Sequence, residues 1–285
     1  MKWQRRRRSD RVADRRGTGG RGGTTALINL FSFLLGSRLG RIMLVAGVAL
    51  YFFTGINPLN FLSQAPTTTA QAPIENNQQA DFVAVVLADT ESYWQAQFEQ
   101  QKLSYQLPTL VLFEGRVDSH CGSASSAVGP FYCPVDRQIY LDLSFFQTLK
   151  QQLGAGGDFA QAYVIAHEVA HHVQNLLGIS VQVQQQQSQQ PEKANQLSVK
   201  LELQADCMAG MWANYAQSKG WLEVGDIEEA MTAAQAIGDD RLQQQAGKAV
   251  RPEQFTHGTS AQRTHWFNLG LTQASLEACN TFAPQ

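Results

Sequence analysis

One stretch of this 285-residue chain constrains its fold more than any other: Asp158-FAQAYVIAHEVAHHVQNLL-Gly178. Its apolar residues recur at helical spacing, and within it stands the HExxH string His167-Glu168-Val169-Ala170-His171. On a helix, positions i and i+4 share a face, so both imidazoles can reach one metal ion. Glu168, beside the first, can then act as general base on a metal-activated water. A catalytic zinc typically takes three protein ligands, so the fold must bring a third to this helix face from elsewhere.

A His-x-x-Gly-x-x-His continuation would supply it, but the chain after His171 reads HVQNLLGISVQ. Glu202 is the better candidate. It stands in Glu202-Leu203-Gln204-Ala205-Asp206, on an expected long helix from about Glu192 to Lys219. Asp206, one turn on, shares its face and can accept the ring N–H of His167 or His171. The bland alternatives are a solvated helix charge for Glu202 and a helix salt bridge for Asp206. His172 projects about 100° round the helix from His171, off the ligand face. His120 sits beside Cys121 in a loop and reads as unrelated to the site. His257 and His265 follow at distances suited to a donor for a developing oxyanion, with Tyr163, Tyr215 and Arg263 as other candidates.

Charge is unevenly distributed. Residues 1–41 carry eleven lysines and arginines against Asp10 and Asp14, a net of +9, while the remainder nets −11 within a total of −2. The stretch that follows, Ile42–Leu62, has no charged residue and is long enough for a membrane-spanning helix. The expected arrangement is an uncleaved signal anchor in the inner membrane: residues 1–41 a basic cytoplasmic segment, 42–62 the crossing, 63–80 a linker and 81–285 an exported domain. The arginines then read as a topology signal that also attracts anionic lipid, with no nucleic-acid partner. Cys121, Cys133, Cys207 and Cys279 all follow the apolar stretch, and an even count in an exported domain reads as disulfides. The short loop holding Gly122, Gly129 and Pro130 favours Cys121–Cys133, leaving Cys207–Cys279; a second metal site is the alternative.

Within the domain, helices are expected at 81–101, 158–177, 192–219, 226–237, 260–269 and 275–282, and strands at 109–114, 131–132 and 138–143. Asp158 with Gln161 reads as a capping box and Gly178 as a stop. Residues 181–191 read as a glutamine-rich loop or helix extension. Strands first and helices after imply an α+β domain.

Several long strings carry a resemblance: KWQRRRRSDRVADRRG, CGSASSAVGPFYCPVDRQIYLDLSFF, VIAHEVAHHVQNLLG, ELQADCMAGMWA, AIGDDRLQ and FTHGTSAQRTHWF. In these the chain resembles the bacterial neutral zinc metallopeptidases (YpfJ-like) over nearly its whole length. The resemblance implies a zincin-like fold, a small sheet plus active-site helices, and a membrane-anchored peptidase. HEVAH paired with ELQAD is also similar to the Glu-type membrane zinc peptidases (gluzincins) that act on prenyl-proteins and in heat shock, which implies Glu202 as the third ligand. Those carry His-Pro-x-x-x-x-Arg, and His257-GTSAQ-Arg263 has the same separation with Gly258 in place of the proline. This implies His257 as the oxyanion donor with Arg263 supporting it. Gly129–Cys133 matches their substrate-holding edge strand, although Pro130 removes one donor.

The expected activity is peptide-bond hydrolysis on one catalytic Zn2+ held by His167, His171 and Glu202, with Glu168 as general base, acting on a peptide or protein substrate. The alternative is a catalytically silent zinc module, membrane-tethered for binding or structure. Glu168 argues against it, because zinc retention alone does not need that carboxylate.

Overall fold

The computed structural model describes residues 1–17 and 78–283. The expected crossing Ile42–Leu62 and the linker as far as residue 77 lie outside the described residues, within which no helix is long and apolar enough to cross a membrane.

A four-stranded sheet anchors the unit. Its strands are β1 (Val12–Asp14), β2 (Thr109–Phe113), β5 (Phe131–Cys133) and β6 (Gln138–Asp142), in the order β1-β2-β6-β5. β1 and β6 run parallel to β2, and β5 runs antiparallel to β6 at the edge. The hairpin of β3 (Arg116–Ser119) and β4 (Gly122–Ser125) stands apart as its own two-stranded sheet. The run Leu110-Val-Leu-Phe113 is apolar throughout because both faces of β2 are covered. Leu110 and Leu112 join Ile139 and Leu141 against the helices, while Val111, Phe113 and Tyr140 form a smaller core with Cys133 and Val117.

The helices are α1 (Gln78–Gln100), α2 (Ser144–Gln151), α3 (Asp158–Leu176), α4 (Ile179–Gln189), α5 (Ala194–Ser218), α6 (Asp226–Ala236), α7 (Asp239–Gln245) and α8 (Ser260–Gln273). The mixed α+β class expected from sequence holds, and the glutamine-rich stretch is the helix α4. α3 stops at Gly178, which takes a left-handed conformation with φ 76°. At its start the expected capping box does not form. Gly157 is the cap residue, and the Asp158 carboxylate instead meets the Met1 ammonium at 2.6 Å. The expected helix over 275–282 is a series of turns beyond α8. α8 itself opens on a true capping box, with Thr259 and Gln262 reciprocally bonded.

α5 and α8 form the closest helix pair. A Cβ at Gly210 would collide with the Phe267 carbonyl, and one at Gly270 with the Cys207 carbonyl. Glycine at both positions lets the two backbones touch. The disulfides are Cys121–Cys133 and Cys207–Cys279, the pairing favoured from sequence.

The start of the basic N-terminal segment packs against the body of the protein. Residues Met1–Arg16 belong to the same compact unit as residues 76–285. The physical reason is complementarity with the acidic body. Arg6 pairs with Asp89 and lies 3.3 Å over the Trp221 ring, Arg7 reaches Glu91 at 2.9 Å, and Arg8 reaches Asp81 at 2.8 Å. β1 then adds its backbone to the sheet beside β2.

Candidate metal centre

α3 and α5 lie side by side and create the site. One turn of α3 separates His167 from His171, so both rings project from one face toward Glu202 of α5. His167 Nε2 is 3.1 Å from Glu202 Oε2, His171 Nε2 is 3.4 Å from Glu202 Oε1, and the two Nε2 atoms are 3.2 Å apart. One ligand atom from each of the three residues falls within 4.8 Å of the others. A second such group, Asp158, Asp226 and Glu229, is all carboxylate and has the Met1 ammonium 3.3 Å from Asp226. Only the first combines imidazole with carboxylate, the donor set of catalytic zinc.

The far side of each ring is also occupied. His167 Nδ1 lies 2.9 Å from Asp206 Oδ1, within ion-pair range although its N–H is not aimed along the hydrogen-bond direction. Asp206 is fully buried and held by three groups: Arg263 Nε at 2.9 Å, Arg263 Nη2 at 2.9 Å and the Tyr163 hydroxyl at 2.5 Å. His171 Nδ1 donates to Gln174 Oε1 at 2.9 Å. Both rings thus keep Nε2 toward Glu202, which is how metal-binding histidines are ordinarily held.

The electrostatics favour a cation between the rings. Burial works against ionisation of Glu202, yet His171 and His167 hold its carboxyl well below the usual range. Burial likewise opposes charge on Asp206, but Arg263 and His167 hold it below its ordinary value. Burial alone would lower both imidazoles; Asp206 reverses this at His167 and Glu202 reverses it at His171, so both are raised. Positive charge is what this pocket stabilises, and a divalent ion would supply it. Glu168, beside His167 and 7 % exposed, is pushed up by burial, with His171 and His167 pulling the other way. A carboxyl nearer neutrality is better suited to passing a proton back and forth.

The remaining candidates lie as follows. His257 sits on an exposed loop with Nδ1 3.2 Å from Asp239 Oδ1. Asp239 Oδ2 also accepts the backbone N–H groups of Thr256, His257 and Gly258, so one carboxylate shapes the loop. A Cβ at Gly258 would lie 3.3 Å from Val199 and Leu203, residues that flank Glu202 on α5. Arg263 is directed to Asp206, Tyr163 and the Ile237 carbonyl. His265 is two residues on, about 200° round α8, and lines a different groove with Glu228, Met231 and Asn268. His172 is fully buried: Nε2 donates to the Gln106 carbonyl at 2.6 Å and Nδ1 meets the Tyr132 hydroxyl at 3.1 Å. Sequence reasoning passed over Gln174, Gln204 and Asp239, and took Tyr163 only as an oxyanion donor. Gln174 lies three residues beyond His171 on the same helix face, but Gln204, two beyond Glu202, falls on the opposite side of its helix, so spacing marks neither amide as a partner of the site.

The family model described as "Putative neutral zinc metallopeptidase" matches residues 1–282. The chain is 49% identical over 286 residues to an uncharacterized protein, YpfJ, of Escherichia coli strain K12, covering 99% of each chain. It is 42% identical over 249 residues to an uncharacterized protein, Rv2575, of Mycobacterium tuberculosis strain H37Rv, covering 80% of this chain and 84% of that one. No solved structure gives a significant match.

Proposed function

The chain belongs to the neutral zinc metallopeptidase family, and on that premise we propose that it hydrolyses peptide bonds with Glu168 as general base. The observation that carries this reading is the convergence of His167, His171 and Glu202 within 4.8 Å of one another, with Glu168 next to His167 in the chain. The residues suit zinc by donor chemistry and by the outward-held Nε2 atoms. His167, His171 and Glu202 would hold the ion, with Asp206 behind His167. A zinc ion there supplies a Lewis acid and acidifies water at neutral pH. Glu168 accepts the proton of the attacking water and returns it to the leaving amine. His257, steadied by Asp239, donates to the developing oxyanion, and Arg263 acts at a distance by fixing Asp206.

The substrate in this reading is an extended peptide laid along β5, one of the two edge strands of the sheet among the described residues. The Tyr132 hydroxyl on β5 accepts from Asn175 Nδ2 at 2.9 Å and meets His172, which ties that edge to the site helix. Glu168→Gln should retain zinc and lose hydrolysis of a fluorescent casein probe. Undiminished turnover by that variant would remove the assignment.

The proposed location is the inner membrane, attached through Ile42–Leu62, with the disulfides marking the folded unit as exported. A cysteine at exposed Val224 of that unit should react with an impermeant maleimide in whole cells; protection until the membrane is opened would contradict this.

A further inference from the structure

We propose that Gln174 and Gln204 are positioning residues for His171, and that the Cys279 carbonyl, stapled to α5 by the Cys207–Cys279 disulfide, sets which ring nitrogen His171 presents. This rests on the metal-centre reading above and adds a device to it.

Hydrogen-bond direction fixes how each group is turned. Four groups form a continuous relay. His171 Nδ1 meets Gln174 Oε1 at 2.9 Å. Gln174 Nε2 donates to the Leu201 carbonyl at 2.7 Å and to Gln204 Oε1 at 3.0 Å. Gln204 Nε2 donates to the Cys279 carbonyl at 3.2 Å. Carbonyl oxygens only accept, so each fixed carbonyl dictates how an amide must turn. Cys279 fixes Gln204 with its NH2 outward and its oxygen toward Gln174. Leu201 and Gln204 then both demand the NH2 of Gln174, which leaves Gln174 Oε1 for the ring. Turning either amide over would set oxygen against oxygen in a buried site, where Gln174 is 0% and Gln204 4% exposed. His171 must therefore keep a proton on Nδ1, so that in the neutral ring Nε2 is the nitrogen with the free lone pair.

The far end of the relay is built to stay in place. Residues 275–282 have no helix to hold them. Three bonds fix them to α5: the disulfide to Cys207, the Thr281 hydroxyl to the Lys200 carbonyl at 2.7 Å, and Gln204 itself. Cys207 and Cys279 are both fully buried. The disulfide thus does more than close the chain, because it holds the carbonyl from which the tautomer is read.

The test is zinc affinity of the full chain, measured by competition with a chromophoric chelator, together with long-range 1H–15N spectra of the two rings. Gln174→Met should weaken zinc about tenfold, the low end of what a direct partner behind a ligand usually carries, and Gln204→Met, one link further off, less, about threefold. In both variants the His171 resonances should depart from a pure Nδ1–H form while those of His167 stay put. A merely structural role would move both rings together. If Gln174→Met does not fold, Gln204→Met decides alone. Unchanged affinity and an unchanged His171 tautomer in a zinc-binding wild type and variant would overturn the relay alone. A wild-type chain that binds no zinc would instead overturn the metal-centre reading, and the relay with it.

Discussion

His167 and His171 face each other across one site from adjacent turns of one helix, yet opposite chemistry holds them. Behind His167 stands a buried ionic knot: Asp206, the bidentate Arg263 guanidinium and the Tyr163 hydroxyl. Behind His171 stand two neutral amides ending on a backbone carbonyl. A charged partner makes its imidazole more basic and resists displacement, but it leaves a costly buried charge when any member is removed. A neutral relay adds little charge and costs less to break, yet it fixes direction as firmly because each link has one sense. The site thus draws its electrostatic bias from one side and its tautomer control from both.

The sharpest way to break this contrast is to remove Arg263. Arg263→Met strips the fully buried Asp206 of its bidentate partner and leaves only His167 to offset its charge, and should cost about 3–5 kcal/mol of folding stability. Urea unfolding of the metal-free chain measures it. A loss below about 1 kcal/mol, the range of a neutral hydrogen bond, would mean that the two sides of the site do not differ in kind. Arg263→Lys should recover only part, since a single ammonium cannot replace the two-pronged contact.

How much of this was legible beforehand depends on how local each signal is. The HExxH string sets its own geometry, because helix periodicity alone brings His167 and His171 together. Glu202 and Asp206 were readable for the same reason, being one turn apart on a single helix. Gln174 and Gln204 were not: an uncharged amide on a helix carries no mark of which residue it will meet across the interface. The ion pairs of the arginine run were unreadable for a related reason. Arg6, Arg7 and Arg8 look the same in sequence whether they face lipid or protein, and their partners Asp89, Glu91 and Asp81 stand more than seventy positions away. Three-residue β1 and seven-residue α7 were too short to show a period. Asp158 looked like a cap because its alternative partner, the Met1 ammonium, is distant in sequence.

A third imidazole sharpens the comparison. His172 adjoins His171 but its hydrogen-bond partners, the Gln106 carbonyl and the Tyr132 hydroxyl, are neutral. Burial pushes it down to about 4, with the Gln106 carbonyl pulling upward and the Arg137 charge adding to the lowering. The unfolded chain protonates this group near pH 6.5 and the folded chain does not, so the unfolded state binds more protons between about 6.5 and about 4. Stability should therefore fall as pH drops through that window, by at most about 3 kcal/mol. Denaturation at pH 7 and pH 5 reads the change, and His172→Asn should flatten it. A slope left intact in that variant would assign the acid sensitivity to another group.

The smallest effect expected is at Tyr163. Its hydroxyl donates to Asp206 but carries no charge, so it tests whether the knot behind His167 is ionic at heart. Tyr163→Phe keeps the ring packed edge-on against Phe267 and removes one of the groups on the carboxylate. Arg263 and His167 still compensate Asp206, so the loss should be that of one neutral hydrogen bond, about 1 kcal/mol. Zinc affinity should fall only a few-fold. A loss as large as that from Arg263→Met would show that the hydroxyl and the guanidinium act as one cooperative unit, which a double-mutant cycle between the two positions would measure directly. Near-additivity would instead confine the cooperativity to the charged pair and leave Tyr163 as packing with one bond attached.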